Sequence, residues 1–272
     1  MACPIEGNAD VSGVGVRLSI YILCLAGRTL SYLLNQRKGE PAVKFNKAVA
    51  SLLSVQGLAL LCTALFETFN DRLSLFHSIV VLHLLALLGF TLVTRGTHQY
   101  NDSERHIVEH ILNALTYVLF GVLSCYTWVE APELGDNPGC NKSVKYVIFG
   151  QDIAATTEAL RNGMLGASAL LSSAFILASL TSILIPRRKK WFPNCRQLFR
   201  RYKEDKTAGA VSLGSYVAFA VYVIVSLELI IARNKSIVGD EEWTFGQTLS
   251  LFMLIGLVTE FAEAMGWYPI YS

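Results

Sequence analysis

Pro186-Arg-Arg-Lys-Lys-Trp-Phe-Pro-Asn-Cys-Arg-Gln-Leu-Phe-Arg-Arg-Tyr-Lys-Glu-Asp-Lys206 separates two long apolar runs and carries nine Lys or Arg against two acids. A short, strongly cationic loop between apolar runs stays on the cytoplasmic face of a membrane. The rest of the chain has the composition of a membrane protein. Over 272 residues, 53% are hydrophobic and only 16% charged, with mean hydropathy +0.43. That is too apolar for an ordinary soluble domain of this size.

Working outward from the basic loop, seven apolar windows reach the roughly 20 helical residues needed to cross about 30 Å of hydrocarbon. Their cores are residues 14 to 34, 48 to 68, 73 to 94, 108 to 128, 163 to 185, 210 to 231 and 247 to 267. The expected fold is therefore all-α, a polytopic transmembrane bundle forming one domain over residues 1 to 272. Alternation from the basic loop puts the N-terminus on the outer or lumenal side and the C-terminus in the cytoplasm. The basic residues follow that alternation: fifteen Lys or Arg lie in the three inner loops, six in the outer loops and none in the N-terminal tail.

The net charge of +2 and pI of about 8.2 describe loops rather than a basic face, and nucleic acid is not an expected partner. Met1-Ala-Cys-Pro-Ile-Glu-Gly7 has no basic n-region, so no cleaved signal peptide is expected. Ala2 stands where N-myristoylation requires glycine. The sequons at Asn141 and Asn234 fall on the outer side and are candidate glycosylation sites, whereas Asn101 falls inside. Cys3 and Cys140 share the oxidising side and form a candidate disulfide. Cys24, Cys62 and Cys125 lie within spans as packing residues, and Cys195 is close enough to the inner leaflet for palmitoylation.

Ionisable groups within spans are costly, so they pair or line cavities. In the first span Arg17, Tyr21, Cys24, Arg28 and Tyr32 recur at helical spacing, which puts them on one face that must point inward. Eleven residues of helix separate the two arginines by about 16 Å, so each is expected to meet its own acids. For Arg17, in the outer half, these are Glu67, Asp71 and Glu228, with His77 nearby and Asp10 and Asp152 folding over the mouth. For Arg28, in the inner half, they are Glu109, Glu260 and Glu263, with His110, Asn113 and Tyr117 close by. Structural ion pairing is the plain reading of every one of these groups.

Sharper chemistries find little purchase. His106-Ile-Val-Glu-His110 matches the H-x-x-E-H spacing of inverted zinc peptidases but has no evident third ligand. Five histidines are too few for the histidine boxes of di-iron hydroxylases, and His83 reads as a hydrogen-bonded core residue rather than a haem ligand. Aspartate-rich runs that would bind Mg²⁺ and a diphosphate do not occur, nor does a phosphate-binding glycine loop. No cofactor and no metal are expected.

Two stretches carry a resemblance: Asn8-Ala-Asp-Val-Ser-Gly-Val-Gly-Val-Arg-Leu-Ser-Ile-Tyr21 and Trp243-Thr-Phe-Gly-Gln247. With the helix number, the length and the outward N-terminus, they make the chain similar to a large group of fungal seven-helix membrane proteins. Within that group it resembles the membrane-bound terpene cyclases of meroterpenoid biosynthesis, of the ascofuranone and macrophorin type. The resemblance implies an isomerase of secondary metabolism in the endoplasmic reticulum membrane that cyclises a lipophilic farnesylated aromatic or its epoxide.

Proton-initiated cyclisation needs a carboxylic acid held neutral by burial and a dry pocket whose aromatic faces stabilise a carbocation. The chain supplies 29 aromatic residues. Glu67 and then Glu228 are the candidate proton donors, with Asp71 or His77 as hydrogen-bonding partner. Arg17 can hold a neighbouring carboxylate ionised as the final base, and Glu260 is the alternative acid if the pocket opens inward. The competing class is a non-enzymatic transporter or receptor-like bundle, for which seven helices and a basic third inner loop are also suited.

Overall fold

The computed structural model describes residues 5 to 37, 39 to 94, 103 to 184, 206 to 234, 237 to 238 and 243 to 267. Seven long helices dominate: α2 (Val14–Arg37), α3 (Glu40–Phe69), α4 (Leu75–Thr94), α5 (Ser103–Val129), α6 (Glu158–Leu184), α7 (Lys206–Arg233) and α8 (Phe245–Ala264). A single turn, α1 (Ala9–Ser12), precedes α2. Six of these helices are long and apolar enough to cross a membrane, and the described apolar part of α5, Ala114–Val129, is shorter. The helices overrun the predicted spans mainly at their starts, as at Glu40 and Glu158, because the backbone stays helical where polar side chains have left the hydrocarbon layer.

Local chemistry sets the ends. Pro41 occupies the first turn of α3, where its missing N–H costs nothing, and Asp71 takes a left-handed φ of 55° just after that helix ends. Ser74 Oγ caps α4 by accepting from His77 N at 3.4 Å, and Thr244 Oγ1 caps α8 by accepting from Gln247 N at 3.3 Å.

The axis of the bundle is α4, which packs against α2, α3, α5 and α7, and 78% of its apolar window is buried. Small residues bring α5 and α6 together: Ser124 Oγ lies 2.6 Å from Ser168 Oγ, and a Cβ at Gly121 would stand 2.9 Å from Ser172 Oγ. On the other side α8 fills the angle between α2 and α3, with Phe45 and Phe261 edge to face at 6.0 Å. Leu170, Val211 and Phe252 point outward and are largely exposed, as lipid-facing side chains are. Among the described residues α6 leans on α5 and has no comparable contact with α7.

The sequence pattern did not reveal that the connection between α5 and α6 is partly strand. β2 (Lys145–Ile148) and β3 (Gln151–Ala154) pair antiparallel around Phe149-Gly150, a two-residue loop in which both φ values are positive, 47° and 81°. Asn234, at the end of α7, clamps this hairpin: its Oδ1 accepts from Lys145 N at 2.9 Å and its Nδ2 donates to Lys145 O at 2.8 Å. A second, parallel pair joins β1 (Ile5–Glu6) to β4 (Ile237–Val238). Hairpin, β1 and the start of α2 thus share one end of the bundle, here termed the hairpin end.

Candidate functional site

The first-helix face expected to turn inward does so, and it meets α7. Tyr32 touches Gly209, the Arg28 guanidinium lies over the Tyr216 ring at 5.8 Å, and Tyr216 Oη donates to Cys24 O at 3.2 Å. Near the hairpin end Arg17 forms an ion pair with Glu228, to which Tyr21 Oη also donates at 2.8 Å. Arg17 Nε donates to Ser12 O at 2.8 Å, so the guanidinium ties α1, α2 and α7 together. The Arg17 side chain is 11% exposed and that of Glu228 45%. Paired in this way, Glu228 stands as a carboxylate and a proton acceptor, which corrects its place as a candidate donor. Tyr21, which the sequence placed on the right face but in no role, is its second partner.

The second polar site is a cavity of about 340 Å³ at the hairpin end, lined by Glu67, Arg72, Ser74, His77, Asp136 and Asn141 among others. Two of the expected residues, Glu67 and His77, meet here, and Asp71 is absent from the lining and exposed. Asp71 points away because it occupies the left-handed turn after α3.

His77 is held on both ring nitrogens. Nε2 accepts from Asn8 N at 3.1 Å, and Nδ1 lies 2.7 Å from Ser74 Oγ. A backbone N–H on Nε2 leaves the ring proton on Nδ1, so Nδ1–H donates to Ser74. His77 therefore ties the N-terminal segment to the cap of α4 while its ring borders the cavity. The α1 turn lies between the two polar sites: Asn8, at its start, lines the cavity, and Ser12, at its end, accepts from Arg17.

The remaining candidates are dispersed. Glu260 is half-buried in the last turns of α8, far from the hairpin end, and Glu263 is exposed. Asp152 pairs with Arg233 at 2.7 Å and Lys145 at 3.7 Å on the hairpin, where it braces β3 against α7. His83 bonds through Nδ1 to Ile79 O at 2.8 Å and through Nε2 to Tyr146 Oη at 3.1 Å, as befits a core histidine. The hairpin places Tyr146 inside the bundle, and burial raises the pKa of its phenol.

Cys140 is disulfide-bonded; its expected partner, Cys3, lies outside the described residues. Cys24, Cys62 and Cys125 are free. Asn101, Cys195 and the side chains of His106, Glu109, His110 and Asn113 also lie outside what is described.

The two candidate glycosylation sites need correction. Asn141 is 4% exposed and donates to Leu134 O at 2.9 Å, and Asn234 is 5% exposed and donates to Lys145 O and Ile230 O. A glycan is attached through that same amide nitrogen, and in the folded protein neither one has room for it. Both asparagines act as clamps for the loops around them.

The two stretches that carry the resemblance pack on each other. Gly15 N–H donates to Gln247 Oε1 at 2.8 Å, and a Cβ at Gly15 would stand 2.7 Å from Gln247 Cβ. A Cβ at Gly246 would stand 2.5 Å from Asp10 Oδ1. Glycine is required at these positions for close approach, and the resulting lock sets the register of Arg17 and Tyr21 against α7. No known family model, curated protein or solved structure matches the chain.

Proposed function

We propose that this protein is an integral membrane terpene cyclase of fungal meroterpenoid biosynthesis, cyclising a farnesylated aromatic or its epoxide by protonation. The reading rests on the resemblance, and one structural observation carries it further. The two resembling stretches form a single packed unit, and that unit holds Arg17 and Tyr21 against Glu228.

In this mechanism Glu67, at the hairpin-end cavity, gives its carboxyl proton to the epoxide oxygen or terminal olefin. The C–O bond breaks or the π pair takes the proton, and successive alkene pairs close the rings. The last cation then loses a proton to Glu228, whose carboxylate is oriented by Arg17 and Tyr21. Tyr216, Phe90 and Phe219 form an aromatic bank beside the path, with Phe90 centred 5.8 Å from Tyr216 and 4.3 Å from Phe219.

Among the described residues each of the seven long helices is continuous. Transporter sites are typically built from interrupted ones, so a transporter is the weaker reading. The test is expression in a host supplied with farnesylated aromatic epoxides and comparison of products from wild type, Glu67→Gln and Glu228→Gln. The proposal expects a cyclised product from wild type and a loss of about 10² or more in each variant. An unchanged rate in both variants removes the site assignment, and no product from wild type across a broad panel removes the enzyme.

A further inference from the structure

The cyclase reading leaves Arg28 unused. Measured along α2, Arg28 lies about 4 Å from the middle of that helix and Arg17 about 13 Å from it. Arg28 is therefore close to the centre of the membrane-crossing segment, where a cation is most expensive. Its Nε is shut off from solvent and has no hydrogen-bond partner. Among the described residues no carboxylate pairs with it, and Glu260 and Glu263 do not close the gap that the sequence assigned to them. The group it does contact is the Tyr216 ring, at 5.8 Å. That ring is fixed: its hydroxyl lies 2.7 Å from Thr91 Oγ1 and donates to Cys24 O, and Phe90 stacks on it with an interplanar angle of 4°.

We infer that Arg28 anchors the anionic aromatic head of a membrane-dissolved prenylated substrate, laid along the α2–α7 seam with its prenyl chain running towards the hairpin end. This rests on the cyclase reading and names a feature of its substrate, an acidic head group such as a carboxylate or ionised enol.

Three observations specify the occupant. An unpaired guanidinium asks for an anion, and the rigid ring bank beside it asks for an aromatic one. Phospholipid phosphates lie outside the hydrocarbon layer, at least about 15 Å from its centre, beyond the place where Arg28 sits. The third is length: Arg28 and Arg17 are about 16 Å apart along α2, and Tyr216 and Glu228 about 18 Å apart along α7. Both are comparable with an extended farnesyl chain. A head on Arg28 thus brings the far end of the chain to the end of the bundle where Glu67 and Glu228 stand. The side of α7 that α6 leaves uncovered provides lateral access from the bilayer.

The test uses the full chain in nanodiscs of zwitterionic phospholipid. Equilibrium dialysis compares a farnesylated hydroxybenzoic acid with its methyl ester on wild type, Arg28→Met and Arg28→Lys. Wild type should hold the acid about tenfold more tightly than the ester. Arg28→Met should abolish that preference without changing ester binding, and Arg28→Lys should keep part of it. Equal binding of acid and ester by wild type overturns the anchor, and so does displacement of the acid by phosphatidylserine. The wild-type comparison decides the matter even where Arg28→Met fails to fold.

The two readings fail separately. Arg28-dependent acid binding with no turnover of any epoxide removes the cyclase and leaves the anion site. Turnover with no preference for the acid removes the anchor and leaves the cyclase.

Discussion

Arg17 and Arg28 stand on one face of one helix and have opposite surroundings. Arg17 is met by Glu228, by the Ser12 carbonyl and, through the shared carboxylate, by Tyr21. Arg28 has an aromatic ring and a sealed, unbonded Nε. An internally matched cation is what a bundle needs for stability. An unmatched cation near mid-helix costs stability and is tolerated where a ligand completes it. Identical residue type and periodicity thus separate into a structural role and a binding role once partners are known.

Substitutions can break or sharpen that contrast. Arg17→Met leaves Glu228 without its cation and should destabilise the protein by about 1.5–3 kcal/mol, read as a lowered thermal midpoint in detergent, with Glu228→Gln on the same background recovering part of the loss. Gly15→Ala drives a methyl into Gln247 and should cost about 1–3 kcal/mol, and it should loosen the Arg17 pair in the same assay because the lock that sets its register is strained. Tyr21→Phe removes one neutral donor from Glu228 and should cost about 1 kcal/mol. Arg28→Met should shift stability by less than about 0.5 kcal/mol, or raise it, since no protein partner is lost. A loss at Arg28 as large as that at Arg17 would erase the distinction.

The helix count was legible because apolar runs of spanning length, separated by polar loops, have few other physical solutions. The inward face of α2 was legible for the same kind of reason, as five polar or aromatic residues at helical spacing cannot all face lipid. Partner choice was less so. Spacing within α2 says nothing about which acid on another helix stands opposite, and Glu67 proved to line a cavity that Arg17 does not enter.

The β-hairpin escaped because Lys145-Tyr-Val-Ile148 is short and its turn, Phe149-Gly150, puts a non-glycine residue in the left-handed region. Both glycosylation expectations failed because a sequon records only three residues and is silent on burial. Asn8-to-Tyr21 and Trp243-to-Gln247 carried a resemblance in sequence, but only their contact shows what the glycines do.

The central claim, that one seam runs from Arg28 to the hairpin end and holds a prenylated substrate, is tested most directly by photolabelling. A farnesylated aromatic acid bearing a diazirine at the far end of its prenyl chain is irradiated with the full chain in nanodiscs, and labelled peptides are mapped by mass spectrometry. The account predicts labelling around Tyr21 on α2 and Glu228 on α7, lost in Arg28→Met. Labelling confined to the lipid-facing surface of α6 or α8, or unaffected by Arg28→Met, would contradict it.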